Sequence, residues 1–162
     1  MDAVILFEEV QGHNKKPARV SFKILTGIFL VCLTINLLWQ KGEINGLTQG
    51  LFLGIVIFVL INIFLKVKLI TQVRTDGIYV RYAPFQPSFS FYPWQSIEEI
   101  YIREYNALLE YGGWGVRVSP LGMAFIASGN TGVQLVLKDG SKVLIGTNQV
   151  EEMKMLLKKM GW

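Results

Sequence analysis

Few side chains in this sequence combine the types and spacing that catalysis requires. There is one histidine, His13, in a polar segment, and one cysteine, Cys32, inside an apolar run. A Cys-His or Ser-His-Asp arrangement would need His13 to reach a distant partner. No Cys/His cluster has metal-ligand spacing, and a lone thiol forms no internal disulfide. Glu98 and Glu99 are adjacent on an expected strand, so they point to opposite faces and cannot act as a carboxylate pair. Gly112-Gly113-Trp114-Gly115 lacks the Lys-Ser/Thr ending of a phosphate loop, and a strand follows it where that loop needs a helix. No catalytic residue, metal or cofactor is expected, and the chain reads as a non-enzyme.

Binding chemistry is better represented. Tyr105, Tyr111, Trp114 and Arg117 surround the glycine-rich loop and form a candidate partner surface. The alternative is structural, with the loop as a tight bend and Trp114 packed on a sheet. Lys66, Lys68, Arg74 and Arg81 are candidate lipid-headgroup contacts, although Asp76 beside Arg74 opposes an anion. The sequence pI of about 9.2 includes basic residues scattered around apolar runs, and no basic face with interleaved aromatics points to nucleic acid.

The elements that must position these residues begin with two apolar runs, Ile24–Trp39 and Leu51–Leu65, neither containing a charge. With their uncharged flanks each reaches about 19 residues, enough for a helix to cross a hydrocarbon core of roughly 30 Å. Beyond Leu65 lie eleven Lys/Arg and eight Asp/Glu, an ordinary balance. The expected organisation is a cytoplasmic segment over 1–20, a two-helix transmembrane hairpin over 21–66 (helices at about 22–40 and 47–65), and a cytoplasmic β-domain over 67–162. Lys15, Lys16, Arg19 and Lys23 before the first helix, with Lys66, Lys68 and Arg74 after the second, predict a two-pass protein of the cell membrane with both termini cytoplasmic. Gly46, Gly50 and Gly54 recur every four residues and suit close helix packing, against the first helix or a second copy, although glycine is also simply frequent in such helices.

From Lys66 the pattern changes to period two. Leu69, Thr71 and Val73 alternate with polar neighbours, Asp76-Gly77 supplies a turn, and Ile78, Val80 and Tyr82 return. Further strands are expected at Phe89–Tyr92, Ile97–Tyr105, Val116–Val118 and Ala124–Ala127, followed by a hairpin from Val133 to Ile145 around Lys138-Asp139-Gly140. The end is helical over 148–160. Asn148 suits its cap, Glu151 reaches back, and Val150, Met153, Leu157 and Met160 make its stripe.

Phe7-Glu8-Glu9-Val10-Gln11, Pro93-Trp94-Gln95-Ser96-Ile97 and Tyr111-Gly112-Gly113-Trp114-Gly115-Val116-Arg117 together resemble the small bacterial membrane proteins that carry a pleckstrin-homology-like domain behind a two-helix hairpin. The stretch from Gly132-Val133-Gln134-Leu135 through Ile145-Gly146-Thr147 to the final helix fits the same pattern. The resemblance implies a membrane α-helical hairpin plus an α+β domain, with about seven strands in an antiparallel sheet or partial barrel and a C-terminal helix. It implies no enzyme activity. The resulting expectation is a noncatalytic membrane-anchored protein whose domain serves self-assembly or protein docking. Its partners would be the lipid bilayer, a second copy or another protein, and no nucleic acid. The alternatives are a lipid-acting enzyme subunit using Glu98, Glu104 or Glu110, and a module recognising anionic lipid.

Overall fold

The computed structural model describes residues 3–12 and 67–162, with Thr26, Gly27, Leu30, Thr34, Gly50, Leu53, Gly54, Val56, Ile57 and Leu60 between them. The chain divides into two units, one of Met1–Gly12 with Val67–Trp162 and one of His13–Lys66.

In the first unit the described residues form nine strands in two sheets. A four-stranded sheet has the order β1-β2-β3-β4, from Ile5–Gly12, Lys68–Arg74, Gly77–Ala83 and Ser90–Pro93. A five-stranded sheet has the order β5-β8-β9-β7-β6. Its strands are Ile97–Glu104 (β5), Gly115–Ser119 (β6), Gly122–Ile126 (β7), Thr131–Leu137 (β8) and Lys142–Gly146 (β9). Two helices complete the unit, α1 at Ala107–Tyr111 and α2 at Val150–Lys159.

The alternation places one face of each sheet in a common core. Leu69, Val73, Ile78, Val80 and Tyr82 of the first sheet join Ile100, Phe125, Val133, Leu135 and Ile145 of the second, and α2 adds Met153 and Leu157. Burying each such side chain contributes about 1.5–3 kcal/mol, which makes this layer the main source of stability. The opposite face of the five-stranded sheet carries a smaller cluster, in which Tyr105, Ala107 and Tyr111 pack with Ala124, Ile126 and Leu144.

Several expectations are overturned. The fold class was expected to be a membrane helical hairpin with a pleckstrin-homology-like antiparallel domain of about seven strands. The described residues instead form two sheets and nine strands, with β7 and β9 parallel. Segment 1–20 contains a strand, β1, which pairs antiparallel with β2. It escapes the period-two reading because its inward positions include the polar Glu9 and Gln11.

Among the described residues no helix is long and apolar enough to cross a membrane. The longest helix described, α2, has 10 residues. At about 1.5 Å per residue it covers roughly half of a hydrocarbon core. The two-pass cell-membrane placement and the membrane-anchored function are overturned with it. Most residues of the two apolar runs, and Gly46 and Lys66, lie outside the described residues. Gly50 and Gly54 are helical, half-buried and buried respectively.

The last helix also departs from its expected cap. Gln149 occupies the cap position without a side-chain bond. The Asn148 side chain instead donates to Ser128 Oγ at 2.9 Å and Gln11 Oε1 at 3.4 Å.

Candidate functional site

Among the described residues strand β6 stands at the margin of the five-stranded sheet, with β7 as its neighbour there. The hairpin joining them turns at Pro120-Leu121, where the Leu121 N–H donates to Ser119 Oγ at 3.1 Å. Gly122 follows with φ of +112°, and a Cβ there would meet the Lys142 carbonyl oxygen of β9. Only glycine combines this backbone conformation with that close approach.

Register across the sheet shows what the margin exposes. Val118, Met123, Val143, Leu135 and Ile100 lie side by side on β6, β7, β9, β8 and β5. In that order their relative exposures are 78%, 36%, 4%, 0% and 8%. Val116, Phe125, Ile145, Val133 and Ile102 form the neighbouring row. The apolar face that builds the core thus runs on past its cover and ends in solvent at β6. Beside this uncovered end lies an open groove of about 480 Å³, lined by Tyr92, Val118, Leu121, Met123, Val143 and Lys142 among others. The Tyr92 hydroxyl donates to Met123 Sδ at 3.9 Å, and burial raises its pKa.

The four residues of the expected partner surface separate. Trp114 is 54% exposed and Arg117 is exposed, its Nε donating to the Trp114 carbonyl at 2.7 Å. Tyr105 and Tyr111 are buried in the smaller cluster. Burial is the main reason the Tyr105 phenol is pushed up to about 12, and burial also raises Tyr111. These two tyrosines support the sheet from behind and are not available as a contact edge.

Their setting is made by α1. Asn106 caps it by accepting from the N–H groups of Leu108 at 3.1 Å and Leu109 at 3.0 Å. Glu110 Oε1 accepts from the Asn106 N–H at 2.7 Å, a return bond like that of a capping box but from one residue further along. Arg103 on β5 donates to Gln134 Oε1 at 2.9 Å, Glu110 Oε2 at 2.8 Å and the Tyr111 hydroxyl at 3.0 Å. Burial opposes the Arg103 charge, but the bonds to Glu110 and Tyr111 outweigh it and raise its pKa. Burial likewise pushes Glu110 up, and the Asn106 N–H and Arg103 together bring it below its ordinary value. This acid is occupied with capping and pairing. Glu98 and Glu104, the other carboxylates weighed for chemistry, are exposed on β5.

Of the candidate headgroup residues, Lys66 lies outside the described residues, and Lys68, Arg74 and Arg81 are on β2 and β3. Lys68 is exposed at the start of β2. Arg74 donates to Gln72 Oε1 through Nη2 at 2.6 Å and lies 4.3 Å above the Tyr79 ring. Arg81 lies 4.9 Å above the Phe89 ring. The Tyr79 hydroxyl donates to Asp76 Oδ2 at 2.6 Å, a bond that raises its pKa.

Sequence reasoning passed over the groove residues Tyr92, Leu121, Met123 and Lys142, and the polar partners of β1. The alternation of Val116 and Val118 was visible, but exposure depends on how far the other sheet extends. Among the described residues, no group of three or more His, Cys, Asp or Glu is placed to hold a metal ion.

Fold and site define a two-sheet β-domain with a C-terminal helix and an open apolar groove at one sheet margin. The chain belongs to the Family of unknown function (DUF6141), which it matches over residues 5–159. That span runs from the first residue of β1 to the last of α2. No curated protein and no solved structure matches the chain.

Proposed function

We propose that this domain is a noncatalytic protein-docking module whose contact surface is the β6 margin. One observation carries the reading: the core-facing row continues through Met123 to the exposed Val118 and borders an apolar groove among the described residues. An exposed edge with an apolar face invites pairing, which proteins ordinarily prevent with charge, proline or a covering element. The noncatalytic part is supported by the Arg103–Glu110 pair, whose groups are spent on each other, on Gln134 and on the α1 cap. A protein partner suits the groove better than nucleic acid, because its lining is mostly aliphatic and aromatic.

Site-specific photocrosslinking of the full chain tests the reading. Benzoylphenylalanine in place of Val118 is expected to give a discrete protein adduct in native cells. The same group in place of Lys138, in the β8–β9 turn, is expected to give none. Adding Met123→Glu should abolish the Val118 adduct. Equal adducts at both positions, or none at Val118, would overturn the proposal.

A further inference from the structure

Resting on that docking reading, we infer that β6 receives an extended segment of a different protein as an added strand, and that this segment is apolar and acidic in alternation. Strand addition requires a sheet edge with a free backbone side, and among the described residues β6 pairs with β7 alone. Successive β6 residues point to opposite faces. Val116 and Val118 point to the groove side, in register with Phe125 and Met123, while Arg117 is in register with Ala124 on the other face. An added strand therefore meets valines at every second position and a guanidinium between them.

Charge selects the occupant. Among the described residues that line the groove, Lys142 is the one that is charged, and none is a carboxylate. The nearby Asp139 carboxylate accepts from the Ser141 hydroxyl at 2.6 Å and N–H at 2.9 Å, bonds that lower its pKa. Arg117 and Lys142 are both exposed, and the chain has a formal net charge of +4. Apolar residues facing Val116 and Val118, with an acid facing Arg117, satisfy both sides of such a strand. A second copy fits less well. The antiparallel self-pairing that engages all of β6 is centred on Arg117 and sets that charge against its own copy, an unfavourable cross-strand pair.

Two fluorescein-labelled synthetic peptides of about nine residues, a typical strand length at the upper end, test this with the full chain. One alternates Val with Glu and the other Val with Lys. Fluorescence anisotropy should show the acidic peptide binding at least about tenfold more tightly, the size of one opposed charge contact. Arg117→Glu should remove or invert that preference, and Val118→Asp should abolish binding of the acidic peptide. Lys159→Glu makes the same charge change on α2 and should leave binding unaltered. Circular dichroism of each variant separates lost binding from lost folding.

Equal binding of the two peptides, or an equal effect of Lys159→Glu and Arg117→Glu, would overturn the inference. So would a dimer in sedimentation velocity that Val118→Asp dissociates, which would make the occupant a second copy. A Val118 crosslink without acidic-peptide binding leaves docking standing and removes strand addition. Loss of the crosslink removes both.

Discussion

Two edge strands of this domain end their sheets in opposite ways. On β1 the inward positions Glu9 and Gln11 are polar and hydrogen-bonded, beside the partly buried Phe7. The Thr147 hydroxyl donates to Glu9 Oε2 at 2.6 Å, and the Asn148 N–H donates to Glu9 Oε1 at 2.8 Å. Gln11 Nε2 donates to the Gly146 carbonyl at 2.6 Å. Glu9, Gln11 and Thr147 are buried, so these bonds join the first strand to the end of β9 and the approach to α2. On β6 the equivalent positions are aliphatic, and the outermost is open to solvent. One edge closes the domain by hydrogen bonds of fixed direction. The other leaves an adhesive surface with no direction of its own.

The contrast extends to the outward faces. Leu6 and Val10 on β1 are exposed, but Glu8 stands between them on the same face. A charge in that position blunts an edge. On β6 the charge of Arg117 is on the other face from Val116 and Val118, so the apolar row is unbroken.

The largest expected effect sharpens the comparison inside one sheet. Phe125 is fully buried in the row that ends at Val116. Phe125→Ala should cost about 3–5 kcal/mol, read as a lowered urea midpoint. A loss below about 1 kcal/mol would mean that the two sheets are not packed as described. Next is the β1 tie. Glu9→Ala strands the Thr147 hydroxyl and the Asn148 N–H, and should cost about 2–3 kcal/mol in the same measurement. A neutral result would reduce the network to surface decoration. The smallest effect belongs to the margin, where Val118→Ser should change stability by no more than about 0.5 kcal/mol. A loss as large as that at Glu9 would show Val118 to be part of the core, and the difference between the two edges would disappear.

The legible parts of the fold were those where pattern and burial agree. Val133, Leu135, Val143 and Ile145 alternate on both sides of a turn, and they pair as β8 and β9. Strand β1 was not legible, because its buried positions hold Glu9 and Gln11, whose partners lie about 135 residues away. The candidate site was half legible. Trp114 and Arg117 are at the surface, whereas Tyr105 and Tyr111 are behind the sheet. Aromatic type near a glycine-rich loop does not say which face a side chain takes. The cap at α2 failed for a related reason: Asn148 has the right chemistry for a cap, but long-range partners on Ser128 and Gln11 claim it.

The sequence by itself determined the local matters: which segments alternate, where Asp76-Gly77 and Lys138-Asp139-Gly140 turn, and that the last segment is an amphipathic helix. These follow from backbone preference and side-chain period, which act over a few residues. Tertiary structure alone decided that β9 lies parallel beside β7, that Glu9 is buried, and that the row from Ile100 to Val118 is covered at one end and bare at the other. Period two tells a residue's face but not its neighbour across the sheet. Whether that face meets protein or water is set by segments far away in the chain.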